Sequence, residues 1–208
     1  MILSMKFTGG LTSLLLESGG FINERNKEIS GFGEKMKVIF IFGSSQSGKS
    51  TLMDWLTKSI SKDDTKVANY EAGAWCRKAF KEHYGFEFDN ENRMLIDNFY
   101  QDLLKKDPNI SLKAHLNYLG KLESDILIIS GIRNTDDFKG IVDYCNQQCF
   151  CDRTKDQFMV YHIIENDVIQ ESLFDKNISR LIDMSKEFGI EIKEITKNTI
   201  FKEMEHSK

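Results

Sequence analysis

A glycine-bracketed loop between two apolar runs constrains this chain more than any other stretch. Residues Val38 to Thr51 read VIFIFGSSQSGKST. Val38 to Phe42 is continuously apolar, as in a strand covered on both faces. Gly43 opens a loop that Gly48, Lys49 and Ser50 close, and Leu52, Met53, Trp55 and Leu56 then recur at helical spacing. The order is strand, loop, helix, and the loop fits GxxxxGK[ST]. Gly43 and Gly48 allow backbone angles closed to other residues, so the loop amides, from Ser44, Ser45, Gln46 and Ser47 on to Thr51, can turn inward around a phosphate chain. Lys49 then reaches the β- and γ-phosphate oxygens of ATP as a point charge. The Ser50 hydroxyl ligates Mg²⁺, and the helix contributes its positive dipole end. The plain alternative is a Gly/Ser-rich turn.

Composition narrows the remaining possibilities. At 208 residues the chain suits one domain of ordinary size, and 40% apolar residues with a single Pro describe a compact soluble protein. A net charge of −4 gives no general footprint for a nucleic-acid backbone. No apolar run approaches the roughly 20 residues of a membrane span. Met1 to Leu16 comes nearest to a signal peptide, but its Leu14 to Leu16 core is short and no A-x-A-like site follows. Cys145, Cys149 and Cys151 are spaced as CxxxCxC, without the paired CxxC of a zinc site, and with Cys76 they read as reduced thiols. The expected setting is the cytoplasm, where ATP is available.

Along the chain, residues 1–35 read as an extension in which Leu11, Leu14 and Leu15 suit a short amphipathic helix; Met36-Lys37 resembles a natural start for a domain over 36–208. A second strand is expected over Lys66 to Tyr70, then a helix from Trp75 that Gly85 stops. A helical stripe of Met94, Leu95, Phe99, Leu103 and Leu104 follows, and then a helix capped by Ser111 with Leu112, Leu116, Leu119 and Leu122 on one face. Asp125 to Ile129, Phe158 to Ile164 and Ile190 to Ile195 complete five strands. Helices are expected over Thr135 to Gln147, Leu173 to Phe188 and a tail from Thr199. This alternation predicts an α/β fold, a three-layer α/β/α arrangement around a five-stranded parallel sheet, with a helical acceptor-binding insertion over about 71–123. Gly43 to Ser50, Glu71 to Arg77 and Ser130 to Arg133 all fall at the carboxyl ends of strands, where such sheets bind ligands.

With these motifs the chain resembles the P-loop nucleoside and deoxynucleoside monophosphate kinases, which include adenylate kinases and phage deoxynucleotide kinases. In that family a Gly after the second strand is followed four residues on by an Arg that holds the acceptor's phosphate; Gly73 and Arg77 stand at that spacing. An Asp-Gly motif with a nearby Arg ends the third strand, and Ser130-Gly131-Ile132-Arg133 resembles a variant of it. The resemblance implies a P-loop kinase fold, ATP and Mg²⁺ as donor and metal, Lys49, Arg77 and Arg133 as catalytic cations, and a nucleotide-like small-molecule acceptor. The chain departs from the pattern where the third strand lacks its metal-holding acid, with Ser130, Asp136 and Asp137 as the residues on offer. For the lid, only Arg153 and Arg180 are at hand.

The physics of phosphoryl transfer supports the arginines independently, since crowded phosphate oxygens need cations and Arg forks supply directional paired bonds. A phosphate acceptor needs no general base. A hydroxyl acceptor does, and related nucleoside kinases place a carboxylate where Glu71 stands; Trp75 would stack on a base. Three readings therefore stay open: transfer to a nucleoside or deoxynucleoside monophosphate, transfer to a hydroxyl of a nucleoside, modified DNA base or small metabolite with Glu71 as base, and nucleotide binding without catalysis. Each fits a monomer or a homodimer away from membranes.

Overall fold

The computed structural model describes residues 36–61, 64–89, 92–148, 157–164 and 177–206. Strands β1 (Lys37–Phe42), β2 (Val67–Glu71), β3 (Ile126–Ser130), β4 (Phe158–Ile164) and β5 (Glu191–Thr196) form one sheet. Every pairing is parallel and the order is β2-β3-β1-β4-β5. The expected α/β fold with a five-stranded parallel sheet is the observed one.

Side-chain alternation on β1 divides the core. Val38, Phe40 and Phe42 point into one cluster, where helices α5 (Thr135–Gln148) and α6 (Ile178–Glu187) bring Phe138, Ile141, Val142, Leu181 and Ile182. Ile39 and Ile41 point into the other, against Leu52, Met53, Trp55 and Leu56 of α1 (Lys49–Ile60) and Ile200 of α7 (Lys197–His206). Helices therefore cover both faces of the sheet, which is why β1 needs no polar alternation. Phe138 meets Phe40 and Phe42 edge-on at centroid distances of 4.9 and 5.5 Å, a favoured aromatic geometry.

Three helices, α2 (Ala74–Tyr84), α3 (Arg93–Lys106) and α4 (Ile110–Leu119), separate β2 from β3. Gly85 ends α2 as expected, with φ 80° and its amide on the Lys81 carbonyl. One expectation for this region is corrected. Helix α4 begins at Ile110 with Asn109 as its cap, so Ser111 lies inside the first turn, where its buried hydroxyl donates to Asp137 on α5 and lies 3.1 Å from His115 Nε2 one turn on instead of capping the helix. No residue of α3 is fully buried, and Met94 is 71% exposed. The physical reason is position, because Ile96 and Tyr100 on the inner side of α3 border a cavity where a sheet would otherwise be.

The tail helix starts at Lys197, two residues before the expected Thr199. Of the helix expected over Leu173 to Phe188, residues 173–176 lie outside the described residues, as do 1–35 and most of the connection from Cys149 to Gln157. Among the described residues no helix is long and apolar enough to cross a membrane. The chain leaves β1 for β2 on one side and later places β4 on the other, so the carboxyl end of β1 is the switch point of the sheet. Ligands of open parallel sheets bind at such points.

Candidate active site

The loop after β1 sits at that switch point. Gly48 takes φ 95° immediately before α1, a left-handed conformation that glycine adopts without a Cβ penalty. Gln46 shares this region with φ 66°. Gly43 corrects the expectation of an unusual backbone angle, since it is absent from the positive-φ glycines. What requires glycine there is space: a Cβ would lie 2.6 Å from Ser47 Oγ and 3.2 Å from Ile163 Cβ.

The Lys49 ammonium folds back over the loop, donating to the Gly43 carbonyl at 2.9 Å and to the Ser44 carbonyl. Ser44 Oγ is buried without a hydrogen-bond partner among the described residues. A cation resting on backbone carbonyls beside an unsatisfied hydroxyl fits a loop shaped for an anion, so the residues present suit a nucleotide phosphate. Ser50 is exposed at the start of α1. Among the described residues no group of three or more His, Cys, Asp or Glu side chains is arranged to hold a metal. Mg²⁺ characteristically takes few protein ligands and fills its shell with phosphates and water, and Ser50 suits that role.

A cavity of about 530 Å³ opens from the loop toward the ends of β2 and β3 and the helices between them. Lys49, Glu71, Arg77 and Arg133 all border it, so the structure brings together the four residues singled out from the sequence. Arg77 Nη2 pairs with Glu71 Oε2 at 2.6 Å. Its guanidinium also folds over Gly73, where a Cβ would come within 3.1 Å of Nη1. With side chains 35% and 44% exposed, the pair contributes little stability, about 0–1 kcal/mol, and serves to orient the guanidinium. Arg133 follows Gly131, whose φ of 80° turns the chain out of β3 beside Ala72 and Gly73.

Sequence reasoning missed Arg93. As the first residue of α3 it donates from Nη2 to Ser45 Oγ at 3.1 Å, joining the helices between β2 and β3 to the loop after β1. Asp97, one turn on, also borders the cavity; burial raises its carboxyl above the usual range, and Arg93 and Arg133 partly offset this. A signal for Arg93 did exist. A cation at a helix amino-terminus opposes the macrodipole by about 0.3–1 kcal/mol, so such a residue has a reason to be there other than helix stability. Helices α1, α2 and α3 all lack an acidic residue in the first turn and carry Lys49, Arg77 and Arg93 there instead. Lys197 was missed too: its ammonium donates to the Gln46 carbonyl at 3.2 Å, and its place just after β5 puts it at the same end of the sheet.

Other candidates resolve differently. Ser130, the last residue of β3, is buried and borders the cavity, whereas Asp136 is exposed and does not. Asp137 does border the cavity, where Ser111 donates to its Oδ2 at 2.7 Å. Arg180 is exposed on α6 and is not among the residues lining the cavity; Arg153 lies outside the described residues. Trp75 is half-buried on the cavity wall, its ring 6.0 Å from Tyr100. Cys76, beside it, has its thiol pushed up to about 11 by burial, against a smaller lowering by Arg77.

No protein-family model and no curated protein sequence matches the chain. Among solved structures, a chain from the PezAT chromosomal toxin-antitoxin system of the human pathogen Streptococcus pneumoniae aligns with a TM-score of 0.45 at 12% identity, over 95% of this chain and 82% of that one. A likeness at that level says nothing about chemistry.

Proposed function

We propose that this protein is a P-loop kinase that transfers the γ-phosphoryl group of ATP to the phosphate of a nucleoside or deoxynucleoside monophosphate. The observation that carries this reading is the set of cations on one cavity. Lys49, Arg77, Arg93 and Arg133 border it in a chain with only six Arg and a net charge of −4. Three of them stand at the starts of helices, where the macrodipole disfavours a cation.

In this reading Lys49 exchanges the Gly43 and Ser44 carbonyls for donor phosphate oxygens, and the Ser44 hydroxyl gains its missing partner. Arg77, held by Glu71, takes the acceptor phosphate, while Arg93 and Arg133 face the group in transit. An acceptor oxygen forms the new bond to the γ-phosphorus as the bridging P–O bond to ADP breaks, and ADP leaves with the electron pair. Mg²⁺, when bound at Ser50 and the phosphates, neutralises developing negative charge.

The hydroxyl-acceptor reading has one observation in its favour, the place of Glu71 on the cavity. Against it, Glu71 Oε2 is already committed to Arg77, which leaves the carboxylate less able to take a proton from a hydroxyl acceptor. Binding without catalysis is the remaining alternative. Incubation of γ-labelled ATP with monophosphates, nucleosides and modified DNA separates the three. The proposal expects labelled nucleoside diphosphates, with Glu71→Gln slowing their formation by about 10-fold at most, since its amide oxygen still accepts from Arg77. Label on nucleosides or DNA, abolished by Glu71→Gln, would establish the hydroxyl reading. ATP binding with no labelled product and nucleotide-dependent association would establish the third.

A further inference from the structure

The cavity wall holds a buried polar chain that the transfer step does not use. Tyr70 on β2 and His115 on α4 are joined between the Tyr70 hydroxyl and Nδ1 at 2.6 Å, and His115 Nε2 lies 3.1 Å from Ser111 Oγ. Ser111 in turn donates to Asp137 Oδ2 on α5 at 2.7 Å, and His115 Nε2 approaches that oxygen to 3.5 Å. Ser111, His115 and Asp137 are 3%, 2% and 5% exposed, and all three border the cavity. With a neutral imidazole and the Ser111 proton donated to Asp137, Tyr70 donates to Nδ1 and Nε2–H donates to Ser111, with which the Tyr100 hydroxyl on α3 is also hydrogen-bonded. The three donors of this chain are therefore spent internally, and it ends on a carboxylate. Asp137 Oδ1 makes no hydrogen bond among the described residues, and a carboxylate offers about four acceptor positions in all.

We infer that Asp137 reads the base of the acceptor and selects guanine. This rests on the monophosphate reading above, because it takes the same cavity to hold a nucleotide with its phosphate at the arginines. A carboxylate presents two acceptors side by side, and guanine alone among the common bases presents two adjacent donors, N1–H and the 2-amino group. Adenine and cytosine offer one amino group beside a ring-nitrogen acceptor, which a carboxylate repels. Uracil and thymine offer one N–H between two carbonyls. A site whose polar groups are committed to accepting rejects partners that cannot donate, because the buried carboxylate then loses its water without gaining hydrogen bonds. Trp75 and Tyr100 on the cavity wall supply faces for the ring.

Calorimetric titration of the full chain with GMP, dGMP, IMP, AMP, CMP, UMP and dTMP tests this without requiring turnover. The expected result is tightest binding of GMP and dGMP. IMP, which keeps N1–H but lacks the 2-amino group, should bind about 10-fold more weakly, and the others about 50-fold or more. Asp137→Asn should erase the guanine preference, with an unchanged melting temperature confirming the fold; the IMP comparison on the unaltered protein stands whether or not that variant folds. Equal binding of GMP and IMP, an adenine or pyrimidine nucleotide matching GMP, or no binding of any monophosphate overturns the assignment. Guanine preference with no label passed to GMP would sink the kinase reading and leave the base assignment standing, while label passed to all monophosphates alike would do the reverse.

Discussion

Arg93 Nη2 donates to Ser45 Oγ at 3.1 Å, a bond that spans 48 residues of chain and crosses from the helices between β2 and β3 to the loop after β1. Helix α3 is thereby tied to the element it faces across the cavity. In the proposed mechanism the same guanidinium neutralises charge on the phosphoryl group in transit. Arg93→Ala should lower kcat/KM for the monophosphate by about 10²–10³-fold while changing ATP affinity much less. Arg93→Lys should recover little, since an ammonium cannot form the paired bonds. Steady-state kinetics with each substrate varied in turn decides it; a loss confined to ATP binding would place Arg93 on the donor side.

Gly43→Ala tests the claim that steric room, not backbone freedom, sets this position. The new Cβ would meet Ser47 Oγ at 2.6 Å and Ile163 Cβ at 3.2 Å, so the loop must shift. A loss of about 1–3 kcal/mol in stability is expected, with weakened nucleotide binding. Adding Ser47→Ala removes the closest contact and should restore part of the loss in thermal melts. A double variant no better than the single one would mean that the strain lies elsewhere.

Cys76 gives a pH-dependent readout from inside the cavity. Burial pushes its thiol up to about 11, so the folded state holds the proton more tightly than the unfolded chain does. The associated stability is present below the ordinary thiol range and is lost as pH climbs toward 11. Alkylation of Cys76 by iodoacetamide, followed by peptide mass spectrometry, should be slow at pH 8 and rise about 10-fold per pH unit up to pH 10. Bound nucleotide monophosphate should slow it further. A rate that levels off near pH 8 would contradict a buried thiol.

The sheet was legible because each strand announces itself by a local apolar run; β4 over Phe158 to Ile164 matches its expected bounds, and the other strands shift by about a residue. Gly85 was legible for the same reason, since a helix stop is a local event. Ser111 was misread because a serine near a helix start is usually a cap, while here a tertiary partner, Asp137, claims its hydroxyl. The Tyr70–His115–Ser111–Asp137 chain draws on β2, α4 and α5, and no spacing rule links residues so far apart. Arg93 lay in between: its opposition to the helix dipole was visible, but its target on the loop was not.

The central claim is that a donor cradle at Lys49 and an acceptor site at Arg77 share one cavity, with Arg93 and Arg133 on the phosphoryl group that passes between them. An analogue joining adenosine and guanosine through five phosphates would span both at once, and its affinity can be measured by calorimetry against ATP alone. The account predicts binding at least about 100-fold tighter than ATP, with most of that gain lost in Arg93→Ala. An analogue that binds no better than ATP would contradict it.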